Sequence, residues 1–281
     1  MGHEAHAVAA MLNFLRRPKP RTTPSSIGED VRVYAIGDIH GRLDLFDQLM
    51  DMIAQDEAAR PPLPRLLILL GDLIDRGPHS AQMIDRAIAL ARSSANVRFL
   101  KGNHEEVFVA AARGSAPNAA AFRRIGGAET LKSYGLPTQE CAAMDEDELA
   151  QWMLSHVPRG HVDFADDFED MAIVGDYLFV HAGIRPRVRL EAQASADLHW
   201  IRGDFLKYGG DHGRMVIHGH SITDDVDERS NRIGIDTGAW RSGKLTAIGL
   251  QGTERWFLQT RTPLIRKKAS HPMDSRPFQK P

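Results

Sequence analysis

The stretch that decides the fold is VRVYAIGDIHG, residues 31–41, in which an apolar run gives way to glycine and polar side chains. The run from Val31 to Ile36 is rich in β-branched residues and predicts a buried strand. Asp38 and His40 follow it in a glycine-flanked turn. Functional side chains of open α/β sheets lie in loops beyond the carboxyl ends of strands, so this turn is a candidate site.

The same arrangement follows twice more. The run Leu66 to Leu70 leads into GDLIDRG, residues 71–77, and the run Val97 to Leu100 leads into GNHE, residues 102–105. Helical spacing of apolar residues is found over Leu43 to Ile53, Ser80 to Ala91 and Glu105 to Ala112. Strands that alternate with helices at this spacing predict an α/β fold with a mainly parallel sheet at its start.

The second half of the chain changes character. Residues 113–165 are rich in alanine and acidic residues and predict a helical insertion or cap. Short strands are predicted after it, over Met171 to Val174, Tyr177 to Val180, Met215 to Ile217, Arg232 to Ile235, Leu245 to Gly249 and Glu254 to Leu258. Two of them lead into histidine motifs, VHAG at 180–183 and HGH at 218–220. We expect one domain over residues 31–260, a sandwich of sheets flanked by helices.

The two ends of the chain differ in composition from the predicted domain. Residues 1–30, with a segment rich in proline, serine and charge, predict a flexible arm, and residues 261–281 predict a basic tail. The arm has its basic cluster after its short apolar stretch, which argues against a secretory signal.

Composition excludes several functions. The 281 residues carry 35 basic and 37 acidic side chains, a net charge of −2, so there is no bulk positive field for nucleic acid. No apolar run approaches the roughly 20 residues that a membrane helix needs. The single cysteine, Cys141, rules out an intramolecular disulfide and fits a reducing compartment. We therefore expect a cytoplasmic protein that binds neither membrane nor nucleic acid.

The five loops offer aspartate, histidine and one asparagine but no thiolate. A mixed set of nitrogen and oxygen ligands suits divalent Mn, Fe or Zn. Six such groups are too many for one ion with an open position, but they suit two ions about 3.5–4 Å apart that share one carboxylate. A turn aspartate and a buried histidine explain any single motif equally well, whereas five motifs in order favour the metal site.

With GD-x-HG, GD-x-x-DRG, GNHE and the later histidines, the sequence resembles the calcineurin-like metallophosphoesterases, most closely the phosphoprotein phosphatase branch with its phage and bacterial relatives. The resemblance covers about residues 31–250. It implies a β-sandwich of two mixed sheets flanked by helices, and two divalent ions, Mn in the first place with Fe or Zn as alternatives. The implied ligands are Asp38 and His40 for the first ion, Asp72 as the bridge, and Asn103, His181 and His220 for the second.

The last ligand is open to one alternative. The family's histidine follows a glycine, which selects His220, but His218 lies two residues before it. Many metallophosphoesterases have a further histidine two positions on, where this chain has Ile222.

The resemblance also implies the reaction. A hydroxide that bridges the metals would attack phosphorus. Arg76 and Arg202 would bind phosphate oxygens. His104 would protonate the leaving group, with Asp75 to orient its imidazole. The plain alternative for Asp75 and His104 is an ordinary turn aspartate and an ordinary histidine at a helix start.

On this basis the sequence predicts a phosphatase that hydrolyses phosphoserine and phosphothreonine in proteins or peptides, with phosphotyrosine as a further substrate and phosphate as product and inhibitor. A dinucleoside polyphosphate hydrolase, similar to diadenosine tetraphosphatases, is the alternative with the same site. A scaffold that has lost catalysis is disfavoured because every expected ligand position is filled. A nuclease is disfavoured by the near-neutral charge.

Overall fold

The structure is a computed structural model that describes residues 24–261. Its ten strands are β1 (Arg32–Ile36), β2 (Arg65–Leu69), β3 (Val97–Phe99), β4 (Met171–Val174), β5 (Tyr177–Val180), β6 (Met215–His218), β7 (Asp227–Glu228), β8 (Arg232–Gly234), β9 (Thr246–Gln251) and β10 (Glu254–Gln259). All the strands expected from the sequence are present, most within one or two residues of the expected bounds. The two-residue β7 was not predicted, because so short a strand has no periodicity to detect.

The strands form two five-stranded mixed sheets. The first has the order β10-β9-β1-β2-β3 and the second the order β4-β5-β6-β8-β7. β1, β2 and β3 are parallel, and β9 and β10 join antiparallel at one edge. β5, β6 and β8 are parallel, and β4 and β7 close the two edges antiparallel. The prediction of a parallel sheet at the start of the chain is confirmed.

The α-helices are α1 (Leu43–Ala58), α2 (Ser80–Ser93), α3 (Asn103–Ala112), α4 (Ala116–Phe122), α5 (Ala128–Ser133), α6 (Thr138–Ala143), α7 (Glu146–His156), α8 (Arg159–Asp166), α9 (Ser195–Trp200), α10 (Gly203–Leu206) and α11 (Ala239–Ser242). A π-helical turn, Arg123–Gly127, joins α4 to α5. No helix within residues 24–261 is long and apolar enough to cross a membrane.

The strand alternation of β1 shows how the layers are built. Val33 and Ala35 face the second sheet and join an apolar core between the two sheets. Tyr34 and Ile36 point the other way, into a core shared with the helices. Because successive strand residues point to opposite faces, one buried strand serves both cores. The sandwich flanked by helices is thereby confirmed.

The segment 113–165 is helical, and it packs into the same core as the helices of the first sheet. Phe122 of α4 and Leu131 of α5 are fully buried in a cluster with Phe108 of α3. The segment thus forms part of the helical layer and shares its core.

Residues 24–30 differ from the flexible arm expected through residue 30. Ile27 is buried in the core between the sheets, and its backbone N–H donates to the carbonyl of Gly252 at 2.9 Å. One isoleucine among polar neighbours gives too little pattern to predict that contact. The rest of the arm, and the basic tail beyond Arg261, lie outside the described residues.

Candidate active site

The five predicted loops meet at one end of the sandwich. The Nε2 atom of His181, after β5, lies 3.4 Å from Oδ1 of Asp72, after β2. The backbone N–H of His220, after β6, lies 3.1 Å from each carboxylate oxygen of Asp38, after β1. Loops from both sheets therefore build one site at the carboxyl ends of parallel strands.

Asp72 is central, because potential ligand atoms gather around it in two sets. The first set joins Asp72 to His40 and His104, whose Nε2 atoms each lie 3.7 Å from its Oδ2. The second set joins Asp72 to His181 and His220. All these side chains are buried. A carboxylate shared by two sets is what bridging between two cations requires.

The hydrogen bonds of the imidazoles fix which nitrogen faces the centre. Nδ1 of His40 lies 2.7 Å from the carbonyl of Ile74, and Nδ1 of His181 lies 2.8 Å from the carbonyl of Leu70. A carbonyl only accepts hydrogen bonds, so Nδ1 carries the proton in both rings and Nε2 has a free electron pair. This is how metal-binding histidines are usually oriented.

Asn103 and Asp38 complete the predicted ligands, but they are placed differently. Oδ1 of Asn103 lies 3.1 Å from Nε2 of His181, inside the second set. Asp38 accepts from the backbone of His220 and belongs to neither three-residue set. His104 stands with His40 and Asp72 where the sequence led us to expect Asp38.

The donor atoms fit divalent cations. Around Nε2 of His181 lie Oδ1 of Asn103 at 3.1 Å and Oδ1 of Asp72 at 3.4 Å, all three of them electron-pair donors. Such atoms repel one another unless positive charge lies between them. On the other side of Asp72, the Arg76 guanidinium already lies against the free electron pair of His40, with Nη1 2.7 Å from its Nε2.

The protonation tendencies agree with this fit. Burial and the nearby charges of His104 and Arg76 hold the pKa of His40 well below its usual value. Burial, with His220 beside it, does the same to the pKa of His181, and burial with Arg202 lowers the pKa of His220 to about 3. The three imidazoles are thereby kept neutral, the form that binds a metal.

The carboxylates show the opposite tendency. Burial, with the charges of Asp236 and Asp72, raises the pKa of Asp38 well above its ordinary value, and burial raises that of Asp72. Closely packed buried carboxylates carry negative charge that a divalent cation would offset.

The Asp75–His104 pair is fully formed. Oδ2 of Asp75 lies 2.5 Å from Nδ1 of His104, and both side chains are buried. Burial acts to lower the pKa of His104, but the charge of Asp72 and the hydrogen bond and charge of Asp75 outweigh it and raise that pKa. The imidazole is thus held in one orientation and its charged form is favoured.

Arg202 and His220 lie together, whereas His218 does not join the site. Nε of Arg202 donates to Nε2 of His220 at 3.0 Å. His218 is buried against Phe205, with ring centroids 5.0 Å apart, and its Nδ1 lies 3.0 Å from the carbonyl of Gly219. Between the two candidates for the last ligand, the structure places His220 beside Asp72.

Two acidic residues at the site were not assigned a role from the sequence. Glu105 accepts from the backbone N–H groups of Asp72 and Leu73 at 2.8 Å and of Gly102 at 3.0 Å, which ties the loop after β2 to the loop after β3. Burial and the charge of Asp72 raise its pKa to about 7. Asp236, buried after β8, raises the pKa of Asp38. Both follow predicted strands, so the rule applied to the other loops would have found them.

The backbone at the site is unusual. Six non-glycine residues in the described chain have positive φ, and all but Arg187 belong to the site: His40 at 49°, Asp72 at 50°, Asp75 at 73°, Arg76 at 66° and His220 at 61°. Left-handed backbone costs a side-chain-bearing residue of order 1–3 kcal/mol and persists where the surroundings enforce it. Such concentration is typical of functional sites.

Comparison with known proteins now identifies the family. The sequence profile described as calcineurin-like phosphoesterase matches residues 31–236, and the chain belongs to that family. The predicted metallophosphoesterase class is confirmed, and the family implies a dinuclear metal site of the kind that the two sets around Asp72 offer.

Two curated relatives indicate which members of this family the chain is similar to. A symmetrical bis(5'-nucleosyl)-tetraphosphatase from Acidovorax ebreus strain TPSY is 34% identical over 64% of this chain and 49% of its own length. An asymmetrical bis(5'-nucleosyl)-tetraphosphatase from Anoxybacillus flavithermus is 25% identical over 83% of this chain and 96% of its own length. The matched region thus spans about half of the first relative and nearly all of the second.

Solved structures support the fold. A provisionally named diadenosine tetraphosphatase has a TM-score of 0.57 and 16% identity, covering 86% of this chain and 100% of that one. A protein serine/threonine phosphatase from Saccharomyces cerevisiae has a TM-score of 0.50 and 16% identity, covering 93% and 91%. Both classes share this fold.

The relatives correct the predicted substrate. The sequence favoured a phosphoserine and phosphothreonine protein phosphatase, and that interpretation is wrong, because the curated relatives are named as dinucleoside tetraphosphatases. The physical reason is that the motifs describe residues around the metals and one phosphate, which both classes share. They carry no information about what the phosphate is attached to.

Proposed function

We propose that this chain hydrolyses dinucleoside polyphosphates, with diadenosine tetraphosphate as the representative substrate. The observation that carries the proposal is the shared name of the symmetrical and asymmetrical relatives, which match 64% and 83% of this chain. The reaction would add water across a phosphoanhydride bond and release two nucleotides.

The arginines suit a chain of phosphates. Arg76 contacts His40 and His104 on one side of Asp72, and Arg202 contacts His220 on the other. Guanidinium groups bind phosphate oxygens through paired N–H groups. We assign both arginines to phosphate binding, one on each side, so that neighbouring phosphates of one substrate are held together.

Asp38, His40, Asp72, Asn103, His181 and His220 would hold two divalent cations, Mn in the first place and Fe or Zn as alternatives. When bound, such ions supply Lewis acidity and make a water molecule nucleophilic near neutral pH. The cation held by His40 would need the Nε2 electron pair that Arg76 now contacts, so Arg76 would turn from this nitrogen toward phosphate.

His104 would protonate the leaving oxygen, and Asp75 would keep its imidazole oriented. How much the reaction depends on this proton differs between a polyphosphate and an alkyl phosphate. The leaving group from a polyphosphate is itself a phosphate whose pKa is about 6, and it leaves with little help at neutral pH. An alkoxide leaving group has a far greater need of the proton.

Two indole rings are exposed, one beside Arg76 and one close to Arg202 in the sequence. Trp240 is 37% exposed, with the guanidinium carbon of Arg76 5.7 Å from its ring centroid. Trp200 is 40% exposed, two residues before Arg202, and its Nε1 donates to Glu106 at 3.1 Å. Nucleobases stack on such rings. We assign these surfaces to the two nucleosides and residues 31–260 to one catalytic domain, with 113–165 as its insertion.

The proposal is tested by loading the full chain with Mn, Fe or Zn and assaying diadenosine tetraphosphate, phenyl phosphate and a phosphoserine peptide side by side. We expect the tetraphosphate to have the highest kcat/KM. Product chromatography then separates central cleavage, which gives two ADP, from off-centre cleavage, which gives ATP and AMP. Phosphopeptide turnover without tetraphosphate turnover would overturn the proposal.

A further inference from the structure

The turn that carries Asp75 and Arg76 is held from outside by the helical insertion. The backbone N–H of Arg76 donates to the carbonyl of Gly126 at 3.1 Å, and its Nε donates to the carbonyl of Ile125 at 3.4 Å. Gly126 has φ of 121°, and a Cβ added there would lie 2.7 Å from Cγ of Arg76. The close approach therefore requires a glycine.

Thr130 makes the second attachment. It lies on α5, is fully buried, and its Oγ1 donates to Oδ1 of Asp75 at 2.6 Å. Oγ1 of Thr130 also accepts from the backbone N–H of Asp75 at 2.9 Å and lies 2.8 Å from the hydroxyl of Ser80. Since the other carboxylate oxygen of Asp75 binds His104, a continuous line of hydrogen bonds runs from the insertion to the imidazole.

These attachments coincide with strained backbone. Asp75 and Arg76 have φ of 73° and 66°, a conformation that side-chain-bearing residues adopt only under constraint. The N–H of Arg76 is bound by Gly126 of the insertion, and the N–H of Asp75 is shared between Thr130 of the insertion and Ser80 of α2, at 2.9 and 3.0 Å. These acceptors therefore help to hold a backbone conformation that costs energy.

We propose that the insertion positions the reacting groups, with Thr130 as a positioning residue that acts through Asp75 on His104 and with residues 125–126 as the support of Arg76. This inference rests on the proposed function in one respect, the assignment of His104 to proton transfer and of Arg76 to phosphate. It assigns to residues 113–165 a role in the chemistry beyond covering the core.

Plain packing is the competing explanation, and Ser133 provides the matched control. Ser133 also lies on α5, and its hydroxyl accepts from the backbone N–H of Ala81 at 3.0 Å and donates to the carbonyl of Thr130 at 2.6 Å. It ties the same helix to α2 without a side-chain contact to Asp75. Ser133→Ala therefore loosens the insertion and leaves the Thr130–Asp75 contact in place.

The test compares Thr130→Val, Thr130→Ser and Ser133→Ala on an alkyl phosphate, because its poor leaving group depends most on proton transfer by His104. Losing a hydrogen bond to a charged group lowers kcat by roughly 10- to 100-fold in Thr130→Val. We expect KM and metal content to stay close to wild type, because Arg76 and the ligands keep their own contacts. Thr130→Ser, which retains the hydroxyl, restores most of kcat, and Ser133→Ala keeps it.

A double variant separates positioning from general damage. If Thr130 acts through His104, adding Thr130→Val to His104→Asn causes no further loss of kcat. Multiplied losses, or a Ser133→Ala variant as slow as Thr130→Val, would overturn the inference. If Thr130→Val does not fold, Thr130→Ala enters the same comparison.

A failure of the proposed acid, His104, can be distinguished from a failure of the positioning role of Thr130. Full activity of His104→Asn on a substrate with a poor leaving group contradicts the proposed acid, whatever Thr130 does. A slow His104→Asn combined with an unaffected Thr130→Val contradicts only the positioning role.

Discussion

The two sides of Asp72 are built differently. On the first side, Asp75 binds His104, and Thr130 and Gly126 of the insertion bind the turn of Asp75 and Arg76. On the second side, Arg202 is exposed and its side chain contacts His220. A preorganised side suits proton transfer and phosphate orientation, where small displacements lower the rate. An exposed arginine can change its conformation as it binds the phosphates of an incoming substrate.

The largest effect is expected where the two sides join. Asp72→Asn removes the charge shared by both ligand sets, so we expect kcat to fall by about a thousandfold or more. Metal content, measured by elemental analysis of the purified protein, should fall with it. Asp47→Asn, at an exposed position of helix α1, is the control and should retain both. A fully active, metal-loaded Asp72→Asn would contradict a bridging carboxylate.

The next effect depends on the leaving group. His104→Asn removes the acid on the first side while the ligands of the second side remain, and we expect a loss in kcat of roughly 100-fold on an alkyl phosphate. On diadenosine tetraphosphate the loss should shrink to roughly tenfold or less, because the leaving phosphate has a pKa of about 6. Steady-state kinetics on both substrates checks this, and equal losses on the two would contradict the role.

The arginines compare the two sides directly. Arg76→Ala should lower kcat/KM by roughly 100-fold, as expected for a fixed group that stabilises developing charge. Arg202→Ala should lower it by roughly tenfold, mainly through KM, because an exposed arginine contributes less when solvent competes. Steady-state kinetics of the two variants on the same substrate measures this difference. A larger effect at Arg202 would reverse the assignment of the rigid and adaptable sides.

The smallest effect is expected at the indole rings. Trp240→Ala should raise KM for diadenosine tetraphosphate severalfold, since base stacking contributes about 1–3 kcal/mol when fully realised and these rings are partly exposed. KM for phenyl phosphate, which has no nucleobase, is the internal control. Equal changes for the two substrates would mean that Trp240 supports Arg76 and does not bind the base.

Local patterns were enough to predict the strands and the loops that follow them. β4 and β5 have the expected bounds because their apolar runs end at Gly175 and at His181, where the pattern itself changes. The structure also brings Asp38, His40, Asp72, Asn103, His181 and His220 to one end of the sandwich, as parallel strands require. Their roles as ligands stay predictions until metal is measured.

Contacts between residues distant in the sequence could not be predicted, for a physical reason. Thr130 reaches Asp75 across 55 residues, and Glu105 reaches the backbone of Asp72 across 33. Neither contact leaves a periodic trace, because a single polar residue on a helix has the same local pattern whether it faces solvent or a distant loop. The substrate was missed for a related reason: the motifs surround only the metals and one phosphate.

We infer that two cation sites share the carboxylate of Asp72. Electron paramagnetic resonance of the Mn-loaded full chain, with the Mn content determined on the same sample, tests it most directly. We expect two Mn per chain with the spectrum of an exchange-coupled pair, reduced in Asp72→Asn to isolated Mn or none. One Mn per chain, or two that give only uncoupled signals in the wild-type protein, would contradict a carboxylate shared by two cations.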